Sequence, residues 1–127
     1  MTARAILLLI GLSLAACAGG PSGQQDTRWD GRWVGHFESS LGLLGCPSRS
    51  VLDIRIEQGR MAGGGSTASL TVDVSGAVAP SGEIRDGLFR REGRAAAVMA
   101  GTFTPTEAAG RWQGSDCEGT WRLQPFP

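Results

Sequence analysis

Three cysteines and one histidine are the residues of this 127-residue chain best suited to chemistry. His36 is the only imidazole, so a hydrolase built on a Ser-His-acid set would have to use it as the base. No Gly-x-Ser-x-Gly elbow accompanies it. His36 alternates with its neighbours so as to share a face with Val34 and Glu38, opposite Trp33, which reads as a solvated strand position. A metal site at Cys46 and Cys117 would need further ligands, and no His/Cys/Asp cluster has ligand spacing. Gly63-Gly64-Gly65-Ser66 lacks the lysine and the helix of a phosphate loop. Asp116 and Glu118 flank Cys117 on a turn and read as solvated charges rather than a glycosidase pair. The expectation is a protein that is not an enzyme and holds neither cofactor nor metal.

Cys17 stands in a different context. Arg4 precedes an apolar run from Ala5 to Leu14, and the small residues Ala15 and Ala16 lead into the cysteine. This is the layout of a secretory signal cut after Ala16. The run is about half of the roughly 20 apolar residues a membrane span needs. Leu14-Ala15-Ala16-Cys17 resembles the lipobox of bacterial lipoproteins, in which the cysteine becomes the N-terminus and carries diacylglycerol and usually an amide-linked acyl chain such as palmitate. The resemblance implies a signal peptide over 1–16, lipidation at Cys17 and a bacterial envelope address. Ala18 in place of Asp implies the outer membrane, facing the periplasm. With Cys17 given to lipid, Cys46 and Cys117 remain as an even pair in an oxidising compartment, where a disulfide is expected. Its loop of about 70 residues would contribute up to roughly 4 kcal/mol.

Residues 17–27, the lipidated cysteine and a Gly-, Pro-, Ser- and Gln-rich stretch, read as a flexible tether. The ten residues after Cys17 would reach at most about 35 Å. Residues 28–127 then form one domain, at roughly 100 residues large enough for a modest core. Twelve basic residues balance 12 acidic ones, so no excess charge points to nucleic acid or to cationic substrates. All basic side chains are Arg, with no Lys, Asn or Tyr, a bias that a GC-rich genome explains.

What must position these residues is written with a period of two. Trp33, Gly35 and Phe37 alternate with polar neighbours, as do Leu52, Ile54 and Ile56, then Leu70, Val72 and Val74, and later Met99, Gly101 and Phe103. This is the pattern of half-buried antiparallel strands. Turn residues at Gln58-Gly59-Arg60, Pro80-Ser81-Gly82, Glu92-Gly93, Thr104-Pro105-Thr106-Glu107 and Gly114-Ser115-Asp116 punctuate it. The expected strands are eight: 31–39, 50–58, 60–66, 69–79, 83–90, 94–104, 109–114 and 118–124. The connection from Ser40 to Arg49 carries Leu41, Leu43 and Leu44, too apolar for a free loop, and is expected to fold across one end. The fold class is all-β, an up-and-down meander after an N-terminal signal helix. Closing it into a small barrel would remove the exposed edges, and a Cys46–Cys117 bond would join the first strand to the last.

Three tripeptides repeat: Gly31-Arg32-Trp33, Gly110-Arg111-Trp112 and Gly119-Thr120-Trp121. A glycine lets a large ring lie over its strand, so the indoles read as core. The last two fall on one hairpin, which suggests neighbouring rings. A Gly-x-Trp on the first strand and an arginine on the last resemble the signature of the calycin barrels, among them lipocalins, fatty-acid-binding proteins and avidins. That resemblance implies barrel closure by Gly31, Trp33 and Arg122, with the arginine packed across the tryptophan. The C-terminal segment also resembles small exported proteobacterial proteins without assigned function, and the layout is similar to that of periplasmic metalloprotease inhibitors with an avidin-like barrel. Trp29, just outside the first strand, is the candidate contact for a ligand or partner. The function expected is a lipid-anchored, non-catalytic module that binds an envelope protein or a small apolar ligand. A protease-inhibitor-like protein and an enzyme of unknown class are the alternatives.

Overall fold

The computed structural model describes residues 27–40, 46–66 and 71–127. Cys17, the expected signal segment, the expected tether up to residue 26, the leucines of 41–45 and residues 69–70 of the expected fourth strand lie outside the described residues. Eight strands follow one another: β1 (Gly31–Ser39), β2 (Ser50–Glu57), β3 (Arg60–Ser66), β4 (Thr71–Val78), β5 (Ile84–Arg91), β6 (Arg94–Phe103), β7 (Ala108–Gly114) and β8 (Glu118–Pro125). Each pairs antiparallel with the next, and β8 returns to β1, closing the barrel. Among the described residues there is no helix.

Alternation sets the inner and outer faces. Leu52, Ile54 and Ile56 point inward and are fully buried, while Val51, Arg55 and Glu57 face out. The register carries that alternation across the strands, with Phe37 opposite Trp121 and His36 opposite Arg122. Two register shifts bend the wall. One lies where β4 meets β5, beside Asp86 with its positive φ of 53°. The other leaves Ala96 as an extra residue in β6.

One end of the barrel, the base, gathers Gly31, the β2–β3, β4–β5 and β6–β7 turns and the end of β8. The other end, the mouth, gathers the end of β1, the start of β2, the β5–β6 hairpin and the β7–β8 turn. Cys46 and Cys117 form a disulfide at the mouth, tying the β1–β2 connection to the start of β8. The interior is filled by side chains. Trp33 meets Phe103 edge-on at 4.8 Å near the base, and Phe103 lies 6.2 Å from Trp121.

Candidate binding site

The base is sealed. Trp29 is buried and lies 6.3 Å from Phe103, and its indole N–H donates to the Ala79 carbonyl at 3.1 Å. Trp33 donates in turn to the Trp29 carbonyl at 2.9 Å. The Asp30 carboxylate accepts from the Gln58 and Gly59 backbone amides at 2.7 and 3.1 Å, fixing the β2–β3 turn beneath the plug. The expectation that Trp29 contacts a ligand or partner is therefore corrected. With its ring in the core and its N–H satisfied, it is a plug, because an indole leaving water favours a buried partner for its polar edge.

Arg122 also differs from expectation. It stands on the outer wall, with its side chain 70% exposed and its Nε 3.3 Å from a Glu107 carboxylate oxygen. Trp33 points inward, so the strand's period of two puts the guanidinium and the indole on opposite sides of the wall. The arginine that secures the first strand to the last is Arg32. Its guanidinium forks onto Asp53 at 3.0 and 2.7 Å and lies 4.3 Å from the centre of the Phe126 ring. The Phe126 amide donates to the Arg32 carbonyl at 2.8 Å. The hydrogen bonds from Arg32 hold the Asp53 carboxyl below its ordinary value. Gly31, with φ of 132°, supplies the left-handed backbone at the strand's start.

The tryptophans of the last hairpin separate. Trp112 faces Gly119 across the ladder and its ring leans over that glycine, whereas Trp121 faces Gly110 but its ring lies against Gly101 of β6. Trp121 joins the base cluster and donates to the Ala100 carbonyl at 3.0 Å. Trp112 joins the mouth, donating to the Glu38 carbonyl at 3.2 Å. The two rings are not neighbours because the register offsets them along the barrel axis.

At the mouth lies a cup of about 600 Å³. Its floor is a trio of rings, with Phe37 5.4 Å from Phe89, Trp112 6.2 Å from Phe37 and Trp112 6.3 Å from Phe89. Ala95, Ala96 and Ala97 form one wall, and the disulfide with Pro47 forms another. Arg91, Ser115 and Asp116 give it a sparse polar rim. The volume falls within the roughly 300–1,000 Å³ of small-molecule clefts, which likewise pair apolar walls with few polar groups. Phe89 carries no sequence signal of its own. Only the register brings it beside Phe37 and Trp112.

His36 lies on the outer wall, away from the cup, with Arg49 Nη2 3.4 Å from its Nδ1. Among the described residues no group of three or more His, Cys, Asp and Glu side chains could hold a metal ion. Compared with models of known protein families, with characterised proteins and with solved structures, the chain matches none.

Proposed function

We propose that this protein is a lipid-anchored, non-catalytic binding module of the bacterial envelope, and that its mouth cup takes an apolar side chain of an envelope partner. The observation that carries the reading is the aromatic floor of Phe37, Phe89 and Trp112 at the bottom of the mouth cup. Below that floor the described residues facing inward are large and buried, among them Ile54, Met99, Phe103 and Trp121, which favours a ligand held at the mouth over one inside the barrel. A shallow cup suits one or two inserted side chains of the kind that anchor protein interfaces. A small apolar ligand confined to the cup is the second reading, favoured by the cup's volume.

The anchor and the cup have compatible positions. Residues Thr27 to Asp30 join the barrel at the base, and the cup opens at the other end. Lipid on Cys17, placed in the outer membrane facing the periplasm, would leave the mouth directed away from the bilayer. Co-purification of the acylated protein from its own envelope tests this. Ala96→Arg, which puts a charged stem into the cup at a bulged, exposed position, is expected to abolish recovery of the partner. Thr106→Arg at the base should leave it unchanged. Equal recovery with both variants would contradict the proposal.

A further inference from the structure

The cystine at the mouth is a wall of the cup as well as a cross-link. Cys46 and Cys117 line the cup beside Pro47, and both are only half-buried. Most of the remaining lining is held by the sheet. Phe37, Phe89 and Trp112 stand on β1, β5 and β7, and Ala95 and Ala97 pair with residues of the strands beside β6. Cys117 sits in the β7–β8 turn, which the Gly114 amide closes by donating to the Cys117 carbonyl at 2.8 Å. Cys46 and Pro47 belong to no strand. The bond to Cys117 ties them to the mouth, together with the Ser39 amide, which donates to the Pro47 carbonyl at 3.2 Å. Breaking the S–S bond therefore loosens one wall and leaves the aromatic floor in place.

We propose that ligand binding in the cup and the redox state of Cys46 and Cys117 are linked. The disulfide form holds an apolar group tightly, the dithiol form holds it weakly, and an occupied cup shields the bond from thiols. The inference rests on the cup being the binding site and adds the regulation of that site.

In the reductive step a thiolate of a dithiol reductant attacks one cystine sulfur, and the S–S bond breaks. The other sulfur leaves as a thiolate, and the reductant's second thiol then resolves the mixed disulfide. Both cysteine sulfurs end protonated. The cystine has gained two electrons and two protons, and the reductant has become a disulfide. A group seated between the floor and the cystine occupies space that the attacking thiolate needs. The coupling is reciprocal, so the factor that separates the ligand affinities of the two forms also shifts the equilibrium between them.

N-phenyl-1-naphthylamine is the probe, an uncharged aromatic suited to a rim that carries both Arg91 and Asp116. Its fluorescence on the full chain gives a Kd, and alkylation of released thiols followed by intact mass gives the rate of reduction by dithiothreitol. With the probe at about ten times its Kd, reduction is expected to slow about tenfold, because only the empty cup is open to attack. In mixtures of reduced and oxidised dithiothreitol, the probe should move the midpoint toward more reducing conditions. Both measurements start from the oxidised wild type, so neither depends on a cysteine-free variant keeping its fold. Ala96→Arg, with its stem in the cup, should bind the probe poorly and show no probe-dependent slowing. Tight binding with an unchanged reduction rate would overturn the linkage and leave the cup reading standing, as would equal slowing in Ala96→Arg despite its weaker binding. Absence of probe binding by the oxidised wild type would overturn the cup reading and the linkage with it.

Discussion

Glycine and tryptophan act as complementary parts in the last hairpin. A Cβ at Gly119 would collide with the Glu38 carbonyl and stand 2.7 Å from the Trp112 indole nitrogen. Neither the backbone nor a buried ring can give way, so Gly119→Ala is expected to cost about 2–3 kcal/mol in urea unfolding. Gly93 meets nothing within 4 Å, but its φ of 77° disfavours a side chain, and Gly93→Ala should cost only about 1 kcal/mol. Trp29→Ala removes the base plug and is expected to cost about 3–5 kcal/mol, measured by the same unfolding. Asp53 gives a pH signature. Its pKa is lowered in the folded state, so its contribution is present above the ordinary carboxylate range and is lost as pH falls through the lowered value. The stability gap between wild type and Asp53→Asn should therefore shrink on acidification. A gap that widened would contradict the pairing with Arg32.

Strand boundaries were legible because alternation and turn residues reinforce one another. Gln58-Gly59 and Glu92-Gly93, for example, adopt the positive φ their hairpin turns require. Cysteine arithmetic led to the disulfide, since one thiol assigned to lipid leaves a pair. The cup was not legible, because Phe37, Phe89 and Trp112 lie on strands far apart in the chain and meet only once register and closure are fixed. The roles of Trp29 and Arg122 were misread for a related reason. Trp29 lies outside any alternating run, so no pattern states its burial. For Arg122, the period of two faces it away from Trp33, and that geometry overrides the motif resemblance. At this scale the disulfide is the main cross-link. Cys46 and Cys117 are 71 residues apart, and Cys46→Ser with Cys117→Ser is expected to cost up to about 4 kcal/mol, read as a lowered denaturation midpoint.

Across the whole molecule, the proposed binding role rests on the difference between the two ends of the barrel. The base receives the N-terminal segment and is sealed by aromatic rings, while the mouth carries the disulfide and the aromatic cup. If Cys17 carries the lipid, Cys17→Ser should abolish acyl labelling and release the protein from membranes, with the barrel unchanged. The most direct measurement of the central claim is site-specific photo-crosslinking in the native cell, with a benzophenone side chain placed at Ala96 in the mouth or at Thr106 in the base. The account predicts one discrete adduct from position 96, lost when Phe89 is changed to Ala, and none from position 106. Adducts from the base alone, or the same adduct from both ends, would contradict it.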